Sequence, residues 1–278
     1  MTLLVALVLA LTGPAGYTNP TPGKAIALQI PGMHLAQVRR NLVYAPGGRM
    51  DVYRPRAAGG TLPAVLFVHG TSRDESPKDD GLFVGWGQLA AATGVAGVTF
   101  NHNGVQEDIE RAIRYIRRNG PRLGIDGDRL CLASFSAGVT PAMLVALKGS
   151  AGKLRCAVAY YGFLDAYYKQ ASPRAQLTAT SLPILVAKAG ADTQGLNSSI
   201  DRFVARARRV GAAVELLVHE RGRHVVRRGG ERPARTCSPA ADARVPAGEA
   251  STLGAAEDTI PRDDRGAACG ERSSPRHR

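Results

Sequence analysis

The run Ser134-Phe135-Ser136-Ala137-Gly138 stands where an apolar stretch, Leu130-Cys131-Leu132-Ala133, gives way to a helix-like stretch from Val139 to Leu147. Strand, tight turn and helix with a serine at the turn lift a hydroxyl clear of a sheet edge. The turn brings neighbouring backbone too close for large side chains, and the residues at 134 and 138 are small, as this nucleophile elbow needs. The plainer reading is a serine N-cap in an ordinary turn. A serine hydroxyl is a poor nucleophile at neutral pH, so acyl transfer through Ser136 requires a base, and the base requires an acid to orient it. Asp192 follows the apolar run Pro183 to Ala187, and His224 follows the run Val214 to Val218, which gives the chain order Ser, Asp, His. Asp165 and Asp201 compete for the acid and His219 for the base. Asp201 fits a helix start, Asp165 follows an earlier strand, and His219 lies close to its own strand, so Asp192 and His224 are preferred. A tetrahedral oxyanion also needs backbone donors. The run Val65 to Val68 leads into His69-Gly70-Thr71-Ser72, which points to the Thr71 amide as one donor and that of Ala137 as the other, with His69 in a structural role.

These residues need a scaffold that delivers strand ends to one edge. Residues 38–45 and 49–54 read as an antiparallel pair turned at Pro46-Gly47-Gly48. Short apolar runs follow at Ala64 to Val68, Val95 to Phe100, Arg129 to Ser134, Arg155 to Tyr160, Pro183 to Ala187 and Val214 to Val218. Continuous apolar runs of this kind suit strands buried on both faces of a parallel sheet. Between them, Val105, Ile109, Ala112, Ile113 and Ile116 form one helical stripe, with Glu107 to Arg111 and Glu110 to Arg114 at i,i+4 on the wet side. Ile200, Phe203, Val204, Ala207 and Val210 form another, opening at Ser198-x-x-Asp201 like a capping box. Alternation of strand and helix predicts an α/β protein with a mostly parallel central sheet.

Composition limits the alternatives. Of 278 residues, 44% are hydrophobic and 21% charged, which supports one α/β domain with appendages and excludes a wholly disordered chain. The net charge of +13 is scattered in singles and pairs without interleaved aromatics, so no nucleic-acid partner is expected. The four cysteines show no C-x-x-C pair and no metal-ligand spacing. Cys131 and Cys156 fall inside strand-like runs and read as small buried hydrophobes; no disulfide framework can be inferred, and no metal site is expected. At the N-terminus, Leu3 to Leu11 is too short to span a bilayer and has the size of a signal-peptide core, followed by small residues. Residues 1–16 therefore read as an export signal, giving a periplasmic or secreted protein without stable membrane insertion. No Lys or Arg precedes the run, and the competing location is the cytoplasm. Residues 17–35 read as a linker and 36–224 as the folded domain. The pattern stops after His224: residues 225–278 hold five residues from Val, Leu, Ile, Phe and Met and no aromatic, which reads as a disordered or frameshifted tail.

From Val52 to His224 the chain resembles the α/β-hydrolases of the dienelactone-hydrolase and small serine carboxylesterase type. The resemblance is carried by the His69-Gly70 turn, the Leu123-Gly124-Ile125-Asp126 approach to the elbow, Ser136, Asp192 with the following Leu196-Asn197 helix, and His224. It implies an α/β-hydrolase fold with helices on both faces of the sheet. It also implies hydrolysis of small-molecule carboxylic esters or lactones through an acyl-serine, with no cofactor. Dienelactone hydrolases proper use cysteine as nucleophile, so Ser136 points to the serine esterase branch. In similar proteins Gly-Phe-Asp and a closing amphipathic helix follow the catalytic histidine; here Val225-Val226-Arg227-Arg228 follows. The expected fold therefore lacks the usual C-terminal helix, and the competing function is a catalytically impaired hydrolase-fold protein with a binding role.

Overall fold

A computed structural model describes residues 26–224 apart from 27, 72–75, 151, 153, 168 and 169. The chain divides into two units, 1–227 and 228–278. The export signal read at 1–16 and the tail read at 225–278 lie outside the described residues.

Among the described residues eight strands form one sheet: β1 (Gln37–Ala45), β2 (Gly48–Arg54), β3 (Leu62–Val68), β4 (Ala96–Phe100), β5 (Ile125–Phe135), β6 (Cys156–Tyr160), β7 (Ile184–Ala189) and β8 (Val214–His219). Their spatial order is β1-β2-β4-β3-β5-β6-β7-β8. β2 pairs antiparallel with both β1 and β4, and from β4 to β8 every pairing is parallel. Among the described residues four α-helices accompany the sheet: α1 (Gly81–Ala92), α2 (Gln106–Leu123), α3 (Val139–Lys148) and α4 (Gln194–Val210).

Alternation along each strand divides the core in two. Ala64, Leu66 and Val68 of β3 face a cluster completed by Ile109, Ile113 and Ile116 of α2, Met143 of α3 and Ile200 and Phe203 of α4. Val65 and Phe67 face the opposite cluster, with Phe83, Trp86 and Leu89 of α1. Ile26 and Met33, inside the stretch read as a linker, are buried in this second cluster. The strands β3 to β6 are apolar on both faces because both faces are covered, as the continuous runs require.

Three local expectations need correction. Val105 does not join the α2 stripe: it is the N-cap and 44% exposed, and Arg111 pairs with Asp108 at 3.1 Å rather than with Glu107. Helix α4 does not open at Ser198. It starts at Gln194 with Thr193 as N-cap, and Asp201 lies within it, bound to Lys188 Nζ at 2.6 Å. The chain leaving β7 turns at once into the helix, so the capping-box residues fall in its second turn. Cys131 and Cys156 are buried, but not as free thiols: they are register partners on the neighbouring strands β5 and β6, with Cα atoms 4.8 Å apart, and form a disulfide. No spacing rule reveals such a pair, because the register of parallel strands joined by a crossover is set by tertiary packing.

Candidate active site

Ser136 follows β5 directly and opens a short 3-10 turn that leads into α3. Its φ of 52° lies in the left-handed region, which costs a non-glycine residue on the order of 1–3 kcal/mol and persists only where the surroundings enforce it. The enforcing contacts are close. A Cβ on Gly70 would lie 2.9 Å from Ser136 Cβ, so the turn after β3 touches the elbow and has room only for glycine. Ser134 is fully buried, and its hydroxyl donates to the Val158 carbonyl of β6 at 3.0 Å. The small residue two positions before Ser136 thus ties β5 to β6.

The three preferred residues meet at the carboxyl end of the sheet. Ser136 Oγ lies 2.7 Å from His224 Nε2, and His224 Nδ1 lies 2.6 Å from Asp192 Oδ2. The carboxylate accepts the Nδ1 proton, which leaves Nε2 with its lone pair toward the serine hydroxyl. Asp192 Oδ1 in turn accepts the Thr193 amide at 2.7 Å, at the start of α4. The Asp192 side chain is 3% exposed and that of His224 22%, so the carboxylate is shielded while the imidazole is reachable from solvent.

The competing residues are engaged elsewhere. Asp165 binds the Arg174 and Arg202 guanidinium groups, Asp201 binds Lys188, and the exposed His219 has no contact with the serine. Thr71 and Ala137 both line a cleft of about 590 Å³ that reaches from the elbow to the β1–β2 turn at Pro46-Gly47-Gly48. His69, Asn101, His102 and Gln170 add polar groups to this lining, and Tyr167 stacks on Phe163 with ring centroids 4.5 Å apart.

Two contributors were not anticipated. Tyr161, with φ 37°, sets its ring against His224 with centroids 5.1 Å apart, and burial with the nearby Asp192 charge pushes its phenol well above the usual range. His102 lies flat on His69, centroids 3.7 Å apart and 20° between planes. Burial holds both imidazoles below their ordinary pKa, so at neutral pH the pair is uncharged. The signal for His102 was its place two residues after β4, the strand beside β3. Among the described residues no group of three or more His, Cys, Asp or Glu side chains is arranged to hold a metal ion, and no helix is long and apolar enough to cross a membrane.

The sequence matches the profile of the BD-FAE family over residues 50–165. A comparison with curated protein sequences finds no match. Among solved structures, the fold is similar to a truncated carbohydrate esterase from gut microbiota, at 15% identity and TM-score 0.55, covering 66% of this chain and 87% of that one. It is also similar to the butyrate-bound esterase 2 of the planctomycete Thermogutta terrifontis, at 18% identity and TM-score 0.57, covering 70% of this chain and 86% of that one. A mutant of esterase rPPE matches at 19% identity and TM-score 0.58 over 69% of this chain and 75% of its own. The strand order, the serine elbow between β5 and α3 and these likenesses together show an α/β-hydrolase fold.

Proposed function

We propose that the protein is a carboxylic ester hydrolase that acts through an acyl-serine on Ser136. The observation that carries this reading is the contiguous set Ser136 Oγ, His224 Nε2 and Nδ1, and Asp192 Oδ2, with separations of 2.7 and 2.6 Å. In this mechanism His224 Nε2 takes the hydroxyl proton as Ser136 Oγ attacks the ester carbonyl. The resulting oxyanion accepts hydrogen bonds from the amides of Thr71 and Ala137. His224 then gives its proton to the departing alkoxide, and the acyl group stays on Ser136. Water, deprotonated by the same imidazole, attacks the acyl-serine and releases the acid. Asp192 fixes the tautomer and stabilises the imidazolium that forms in each half-reaction.

The substrates are esters of short acyl chains, and by the family resemblance lactones. The cleft has polar groups over much of its lining and is bounded by the β1–β2 turn, which suits a small acyl group better than a long alkyl chain. The carbohydrate esterase and the butyrate-bound esterase among the structural neighbours are consistent with this class. The contacts of His224 favour a working enzyme over an impaired relative kept for binding. We place the protein in an oxidising compartment, periplasmic or extracellular, on two grounds: the Cys131–Cys156 disulfide and the apolar run Leu3 to Leu11.

A fluorophosphonate probe followed by peptide mapping tests the assignment. Label is expected on Ser136 alone, and label on another serine, or none, overturns it. Turnover of p-nitrophenyl acetate should exceed that of the decanoate ester, and the reverse order refutes the short-acyl reading.

A further inference from the structure

His69-Gly70-Thr71 follow the end of β3, and Ser76 to Asp80 precede α1. The Thr71 amide shares a planar peptide unit with the Gly70 carbonyl, so whatever fixes that carbonyl also aims the amide in the opposite direction. His69 does so: its Nδ1–H donates to the Gly70 oxygen at 2.7 Å. His69 is 5% exposed, and its ring is covered on one face by His102. His102 is held in turn by the Gly104 amide, which donates to its Nδ1 at 2.9 Å.

The residue before His102 holds the other end of the same segment. Asn101 Oδ1 accepts the Lys78 amide at 3.0 Å, and Asn101 Nδ2 donates to Ser76 Oγ at 3.1 Å. Asn101 itself is fixed by its backbone, its amide donating to the Arg49 carbonyl at 2.9 Å and its carbonyl accepting the Tyr44 hydroxyl at 2.6 Å. The stretch Ser76 to Asp80 is anchored a second time by Lys78, whose buried ammonium lies 3.1 Å from the buried Asp51 carboxylate of β2. Two consecutive residues at the end of β4 therefore grip both ends of one segment that starts on β3.

We propose that Asn101 and His102 are positioning residues for the oxyanion donor: His102 holds the His69 ring that orients the Gly70–Thr71 peptide, and Asn101 closes the far end of the segment. The inference rests on the reading of Thr71 as an oxyanion donor. Each acts through the geometry of residues 69–71 and 76–78.

The experiment compares His102→Ala, His102→Phe and Asn101→Ala with the unaltered full chain. It measures amide hydrogen exchange of peptides covering 66–80 and steady-state kinetics on p-nitrophenyl acetate. His102→Ala should speed exchange in this segment about tenfold, with the α3 and α4 peptides unchanged. It should also lower kcat about a hundredfold with KM within about twofold, the scale of a donor displaced by roughly 1 Å. His102→Phe keeps a flat ring against His69 and should restore most of both quantities, while Asn101→Ala should mobilise 76–80 more than 69–71. Unchanged exchange in the segment overturns the proposal. So does a change in KM alone, which would make His102 a substrate contact, or a His102→Phe variant as damaged as His102→Ala. Fluorophosphonate labelling of the unaltered chain is read separately: its absence removes the proposed function, while the exchange comparison still decides the positioning role.

Discussion

Replacing Gly138 with alanine probes the contact on which the elbow depends. Gly138 has φ −72° and ψ −15°, which any residue adopts, so the substitution carries no backbone penalty and acts through space alone. The added Cβ would lie 2.2 Å from the His69 carbonyl oxygen and 3.0 Å from that of Val68. Both are backbone atoms of the β3 end and cannot rotate away. Reaching ordinary contact requires the elbow and the β3 end to separate by roughly 1 Å. A core forced open by one methyl loses about 1–3 kcal/mol. The same separation moves Ala137 and Ser136 away from Thr71, and a displacement of that size costs on the order of a hundredfold in rate. Gly138→Ala is therefore expected to lower kcat/KM for p-nitrophenyl acetate about a hundredfold and the melting temperature by roughly 2–12 °C, using the slope for a domain of this size. Gly195→Ala is the control, because nothing lies within 4 Å of its added Cβ and it sits in the first turn of α4. It should leave both quantities unchanged or raise stability slightly. A Gly138→Ala protein with full activity and an unchanged melting temperature would refute the claim that contact between the β3 turn and the elbow sets the site geometry.

Asp192→Asn keeps the shape of the side chain but favours the wrong imidazole tautomer, so kcat should fall by about 10³–10⁴ in the same assay; a loss under tenfold would separate Asp192 from catalysis. Cys131→Ala with Cys156→Ala opens a link between residues 25 apart, which on chain-entropy grounds removes about 3.5 kcal/mol and roughly 10 °C of melting temperature. Intact mass with and without reductant checks that the link is present, and free thiols in the mature protein would remove both this expectation and the argument for an oxidising compartment. His69 and His102 are held below their ordinary pKa by burial, so as pH falls the unfolded chain gains protons that the folded chain does not. Their contribution is present above the unfolded-state value of about 6.5 and is lost progressively as pH falls below it toward the depressed folded-state values. Melting temperature measured across that range should fall with acidity and fall less steeply in His102→Phe, and parallel profiles for the two proteins would contradict this.

The local features were legible because their causes are local. A small-x-Ser-x-Gly run between an apolar stretch and a helical one can satisfy its steric demands in few ways, and the structure gives Ser136 the positive φ that this turn requires. Continuous apolar runs marked β3 to β7 because strands covered on both faces leave no room for polar alternation. The chain order Ser, Asp, His could be read as candidates, but Asp192 is separated from Asp165 and Asp201 only by packing, which gives the latter two to Arg174, Arg202 and Lys188. Helix α1 left little trace in the pattern. It carries Gly81, Gly85 and Gly87, which argue against a helix on propensity, yet Gly87 lets it approach the sheet so closely that a Cβ there would meet the Tyr53 ring at 2.4 Å. The disulfide, the cleft walls from the β1–β2 turn and the His69–His102 stack were decided by tertiary structure alone. Each depends on which strands become neighbours, and the order β2-β4-β3-β5 brings together residues whose separation in sequence carries no period or spacing to betray the contact.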